Sequence, residues 1–215
     1  MSYGAKLWRP SPWGEEGREV QTGSGLRERK KERTHEAIRD AALELFHEKG
    51  YEGTTVDDIA AAADVSPRTF FRYYANKEEA LFSKFDETLE LLHDFLHAFP
   101  PEVTVGEALR AALSEFASMG SMVSADRATF DIFRSSEHLH ARYLMSFFRL
   151  ETIAAEWIAT RAGRTPTDFL PRTLAAVLAS GARVALDVWV EQPDRELQDL
   201  LETTLAMIES GLRDE

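Results

Sequence analysis

The chain contains no cysteine, which excludes disulfide stapling, thiolate catalysis and cysteine-bound zinc. No apolar run approaches the roughly 20 residues of a membrane-spanning helix, and the first residues carry no signal-peptide core. The expected compartment is therefore the cytoplasm, with no membrane partner. G-x-S-x-G, a phosphate-binding loop, a dinucleotide fingerprint and H-E-x-x-H are all missing, so no enzyme chemistry and no cofactor are expected. Strand-like alternation is absent too. What is present is helical periodicity in a 215-residue chain that is 44% hydrophobic, enough for one small domain and one medium one.

The net charge of −12 argues against a polyanion partner until it is divided along the chain. Residues 26–77 hold ten Lys/Arg and ten Asp/Glu, whereas residues 78–215 hold twelve Lys/Arg and twenty-four Asp/Glu. The whole excess lies in the rear. In front, basic residues cluster at Arg27, Arg29, Lys30, Lys31 and Arg33 and again at Arg68, Arg72 and Lys77. A basic face on a neutral segment suffices for phosphate contacts, and an acidic rear would keep only that face on a duplex.

Residues 54–81 read as two short capped helices, a tight turn between them and the start of a third. Thr55 caps the first with Asp58 answering it, and Val56, Ile59, Ala60 and Ala63 share one buried face. Ser66 before Pro67 reads as an N-cap followed by proline at the first helical position, where its missing N–H costs nothing. The second helix then carries Arg68, Thr69, Phe70, Phe71, Arg72, Tyr73 and Tyr74, more large side chains than so short a helix can bury. This is a helix-turn-helix pattern.

The stretch from about Thr34 to Phe82 resembles the DNA-binding domain of the tetracycline-repressor (TetR) family of bacterial transcription regulators. AALELFHEKGYEGTTV, DDIAAAADVS and RTFFRYYANKEEAL follow in that family's order and spacing. Two departures stand out. Phe71 replaces a usual tyrosine, which loses a phosphate hydrogen bond and leaves ring stacking or a thymine methyl contact. Asp64 replaces the usual glycine of the turn, and aspartate tolerates the left-handed conformation better than most residues. The resemblance implies DNA contacts from Arg68, Thr69, Phe71, Arg72, Tyr73, Lys77, Thr55 and Arg33. It also implies a homodimer on a palindromic operator and a small effector bound in the rear domain. FFRYY is similar to an actinobacterial-type branch that includes the mycofactocin-cluster regulator, which implies an acyl-CoA-like effector.

The predicted fold is all-α with about nine helices: a disordered tail over 1–25, a three-helix helix-turn-helix domain over 26–76, and a helical effector-binding and dimerisation domain over 77–215. In the tail, Trp8 and Trp13 mark either an interaction segment or a floppy extension. Helix one starts at about Leu26 or Thr34 and ends at Gly50, with a basic start able to reach phosphates or the minor groove. A long helix from Asn76 toward Pro100 links the two domains. Leu89, Leu92, Phe95, Phe116, Met119, Phe133, Phe147 and Trp157 are the expected effector-pocket residues, with Ala112 and Ala117 as positions at which to fill it. An apolar lining of this kind suits a hydrophobic molecule.

Two wide stripes near the C-terminus, Leu174, Leu178, Gly181, Val184 and Val188 on one helix and Leu197, Leu201, Leu205 and Ile208 on the next, are the expected dimer interface. The same stripes also suit an intramolecular core. His93 with His97 and His138 with His140 offer no third ligand at a fixed spacing, so no metal site is expected. The function that follows is a DNA-binding regulator, a repressor released from its operator by a small hydrophobic effector. The alternatives are the same fold without a small-molecule effector, protein-partnered or architectural, and an all-α ligand-binding or carrier protein that no longer binds DNA.

Overall fold

The computed structural model describes residues 24–100, 102–122 and 127–210, and only the backbone at 24, 26, 113, 115–122 and 209. The proposed tail, with Trp8 and Trp13, lies outside the described residues. Among these there are nine helices: α1 (Ser24–Lys49), α2 (Val56–Ala62), α3 (Pro67–Tyr73), α4 (Lys77–His97), α5 (Val105–Met122), α6 (Arg127–Arg134), α7 (Glu137–Ala162), α8 (Phe169–Glu191) and α9 (Leu197–Ser210). No strand occurs among the described residues.

Local chemistry sets most of the boundaries. Gly50 turns α1 off at a left-handed φ of +76°, and Gly53 closes the turn that follows, where a Cβ would lie 2.4 Å from the Lys49 carbonyl oxygen. Thr55 and Asp58 form a reciprocal capping box at the start of α2, and Thr104 and Glu107 repeat it before α5. Ser66 accepts from the Thr69 N–H with Pro67 behind it, Asn76 accepts from Glu79, and Ser136 caps α7. Gly163 ends α7 at φ +61°. Asp64 sits at φ +52°, the left-handed turn conformation that aspartate tolerates.

The first three helices pack around Ile38, Ala42, Phe46, Ile59, Ala60, Phe70 and Tyr74, all buried. The long α4 carries Leu81 and Phe82 into the packing near this head and Leu89, Leu92, Phe95 and Leu96 into the body, where it lies against α5 and α7. Helix α7 touches α4, α6 and α8, and α9 closes over α5 and α8. Trp157 donates its indole N–H to the Leu96 carbonyl at 2.6 Å. The Arg161 guanidinium donates to the carbonyls of Phe99, Pro100 and Val103, so the last turn of α7 fastens the α4–α5 connection.

One expectation needs correction. Helix α8 has a window of mean hydropathy 1.5 and is long and apolar enough to cross a membrane. The sequence scan missed it because Arg172, Arg183 and Asp187 interrupt the apolar run. Packing against α7 and α9 accounts for its inward face, where Ala175, Leu178, Ala179, Ala182, Ala185 and Leu186 are buried.

Candidate nucleic-acid interface

The turn that joins α2 to α3 sets the recognition helix at the surface. Its Phe70 is fully buried, while Phe71, the next residue, is 57% exposed and meets the Phe70 ring edge-on at 5.5 Å. Arg68 and Arg72 are exposed, Thr69 and Tyr73 half-buried. The Thr69 hydroxyl lies 3.0 Å from that of Ser66. The Arg72 guanidinium stands 5.1 Å from the centre of the Tyr73 ring. One face of a two-turn helix thus presents two cations and an unburied aromatic ring, the group set that reads base edges and backbone in a major groove.

Two of the expected contact residues also have structural duties. The Thr55 hydroxyl donates to the Asp58 carboxylate at 2.6 Å and accepts from the Asp58 N–H; the donated hydroxyl bond, with a second from the Thr55 backbone N–H, holds the Asp58 carboxyl below its usual range. Lys77 donates to the carbonyls of Tyr51 at 2.6 Å and Thr54 at 2.9 Å, and its ammonium stands 4.2 Å from the centre of the Tyr51 ring. It pins the α1–α2 connection to the start of α4, with one ammonium proton left for a phosphate. Desolvation, followed by the Glu78 and Glu52 charges, pushes the Tyr51 phenol up to about 12. Arg33 is exposed on α1, in the same basic stretch as Arg27, Arg29, Lys30 and Lys31.

The effector pocket expected from sequence is redrawn. A cavity of about 40 Å3 lies where α4, α5, α7 and α8 meet, walled by Leu92, Leu96, Leu109, Ala112, Leu150 and Ala154, with Leu178, Ala179 and Ala182 from α8. Of the expected pocket residues, Leu92 lines it, and so does Ala112. Phe133 instead stacks between Phe82 and Tyr143, and Phe147 meets Phe85 and Tyr143 edge-on. Leu89, Phe95 and Trp157 are ordinary core. Aromatic rings pack on one another at the head end, and the void falls where small alanines face leucines. The side chains of Phe116, Met119 and Ala117 lie outside the described residues.

The dimer stripes also divide. Leu178, Leu197, Leu201 and Leu205 are buried within the single chain, so they cannot form a seam with a partner. Gly181 faces Thr204 of the same chain; the helix that approaches it closely is α9. Leu174, Val188 and Ile208 are half-buried. Val184 is 49% exposed, with Val177 at 45% and Met207 at 54% of similar character. Among the described residues no three His, Asp or Glu side chains gather as metal ligands. His138 lies 2.5 Å from Glu78, and His93 stacks on His97.

This architecture is that of a helix-turn-helix DNA-binding protein with a helical body. The profile of the bacterial regulatory proteins of the tetR family matches residues 38–83, and that of the MftR C-terminal domain matches residues 103–213. The chain is 30% identical to a regulator named for mycofactocin biosynthesis, MftR of Mycobacterium tuberculosis, over 86% of this chain and 93% of that one. To the transcriptional regulator TcmR of Streptomyces glaucescens it is 35% identical, over 85% and 84%. Among solved structures it is similar to Thermus thermophilus FadR in complex with lauroyl-CoA, with 26% identity, TM-score 0.55 and coverage of 84% and 96%. It shares its fold with SmeT, repressor of the Stenotrophomonas maltophilia efflux pump SmeDEF, with 22% identity, TM-score 0.62 and coverage of 82% and 89%. The chain belongs to the TetR family and is a DNA-binding transcriptional regulator.

Proposed function

We propose that this regulator is a homodimeric repressor that holds a palindromic operator through two copies of α3 and releases it when a hydrophobic effector, an acyl-CoA thioester, enters the body. One observation carries the proposal: the same α4 holds the head through Lys77 and walls the cavity through Leu92 and Leu96. The cavity has room for about one water molecule. An acyl chain needs several times that volume, so admitting one must part α4 from α5, α7 and α8, and moving α4 carries α3 with it. Support for the ligand class comes from the purely apolar wall and from the likeness to FadR, whose solved complex holds lauroyl-CoA. The exposed Val177, Val184 and Met207 would form the seam of a four-helix bundle between subunits. Arg68, one turn ahead of Arg72, is the proposed base reader.

Calorimetry of an acyl-CoA series, with and without a duplex selected by the protein, tests this. Coupling of about 1–3 kcal/mol predicts that the duplex weakens acyl-CoA binding roughly 5–150-fold, and the reverse by the same factor. Equal acyl-CoA affinity in both states would end the lever mechanism.

A further inference from the structure

Asp86 and Glu87 are neighbours on α4, and the helix turns them to different sides. Glu87 faces α1, with Arg39 at 3.8 Å and His35 at 3.7 Å, and pairs with Lys84 of its own helix at 3.6 Å. Asp86 faces α7. One of its carboxylate oxygens accepts from Arg142 Nη2 at 2.9 Å and the other from Arg149 Nη1. These arginines lie two turns apart along one face of α7, and the Arg142 guanidinium also stands 5.3 Å from the centre of the Phe82 ring. Two cations thus converge on one carboxylate in a segment, 78–215, that has twelve Lys/Arg and twenty-four Asp/Glu. The three side chains are half-buried, 24% exposed for Asp86, 35% for Arg142 and 47% for Arg149, so they are held in place and still reachable from solvent.

We propose that Arg142 and Arg149 are the subsite for an oxyanion at the polar end of a hydrophobic effector, and that Asp86 fills this subsite as an internal stand-in in the unliganded protein. The inference rests on the reading of the body as an effector domain and deepens it. Two guanidiniums aimed at the two oxygens of one group form an arrangement that carboxylates and phosphates satisfy. The position suits a ligand with an apolar end. Arg149 directly precedes Leu150, a wall of the cavity, and Asp86 lies six residues, about 9 Å, before Leu92 on α4. An arriving oxyanion replaces one anion by another on the arginines, so α7 keeps its ion pairs while α4 is released. Asp86, already partly exposed, returns to water, and no uncompensated charge is left buried. The helix set free is the one whose next residue, Glu87, holds Arg39 of α1.

Three probes with the same apolar chain test this by calorimetry on the full protein: laurate, lauroyl-CoA and dodecanol, which carry a carboxylate, phosphates and no charge. Wild type binds at least one anionic probe more tightly than dodecanol, and the one preferred identifies the oxyanion. In R142Q/R149Q that probe loses about tenfold or more, the scale of a hydrogen bond between charged groups, while dodecanol is unchanged. Asp86→Asn keeps the shape and removes the competing charge, so it binds the preferred anion about tenfold more tightly than wild type and a selected operator duplex more weakly. Glu156→Gln, an exposed position on α7, removes the same charge outside the subsite and behaves as wild type. A gain for one ligand with a loss for the other is not the result of a merely loosened fold, and thermal melting establishes that each variant is folded. If Asp86→Asn binds the anion no better than wild type, or R142Q/R149Q keeps the full preference, the arginine pair is only a clasp between α4 and α7; the inference then falls and the effector reading stands. If none of the three probes binds wild type, the effector reading fails first, and this inference with it.

Discussion

A methyl group placed on Gly181 of α8 would lie 2.4 Å from Cγ2 of Thr204 on α9. The two helices are in contact there because position 181 has no side chain. The Thr204 hydroxyl, donating to the Leu200 carbonyl at 2.8 Å, holds that methyl in place. Gly181→Ala gains about 1 kcal/mol of helix propensity and loses about 1–3 kcal/mol to overpacking, so a net loss of stability is expected. Adding Thr204→Ser, which keeps the hydroxyl and removes the methyl, recovers it. Denaturant unfolding of the two single variants and the double variant measures the coupling, and additive effects would contradict the packing account.

Charges placed at Val184 and Leu201 are expected to act differently. Val184→Asp puts a carboxylate on an exposed position, so sedimentation should report folded monomers with native circular dichroism and much weakened operator binding. Leu201 is 1% exposed inside one chain, and Leu201→Asp should unfold the subunit, because a buried unpaired charge costs several kcal/mol. A folded Val184→Asp dimer would place the seam elsewhere.

Lys77→Ala removes two charge-assisted bonds to loop carbonyls, each worth about 1.5–3 kcal/mol. The melting temperature should fall markedly, and operator and random DNA should both bind more weakly, with a salt slope smaller by about one per site. Arg68→Ala should leave the melting temperature unchanged, cost about 1–3 kcal/mol on the operator and leave random DNA nearly untouched. Melting curves with anisotropy titrations on both duplexes separate the two.

Burial raises the phenols of Tyr51 and Tyr74 to about 12, and the Tyr74 hydroxyl donates to the His35 carbonyl at 3.2 Å. Their pKa in the fold lies above the unfolded value near 10, so the native state holds its protons longer. The stability they contribute is complete below about pH 10 and is lost as pH rises toward 12. Phenolate absorbance should titrate late for these two residues, in step with loss of helicity, and Tyr74→Phe should remove one of the late transitions.

Much of the protein was legible from local pattern. Capping depends on residues three apart, as with Thr55 and Asp58 or Ser66 and Thr69, and the helix-turn-helix depends on short spacings, so boundaries such as Glu137–Ala162 followed by Gly163 could be read directly. The side of an apolar helix that meets its own chain depends on distant partners. On α8, Leu178, Ala182 and Ala185 turn inward while Val177 and Val184 face out, and nothing in that stretch distinguishes the two sides until α7 and α9 cover one of them. For the same reason the cavity formed among alanines and not among the rings that drew attention: aromatic side chains fill space, and the void opens where alanines from three helices, α5, α7 and α8, face leucines. The charge pattern marked Lys77 and Arg72 as contacts for DNA. Only the tertiary structure turned the first toward loop carbonyls and the second toward the basic face of α1, because both neighbours lie more than twenty residues away along the chain.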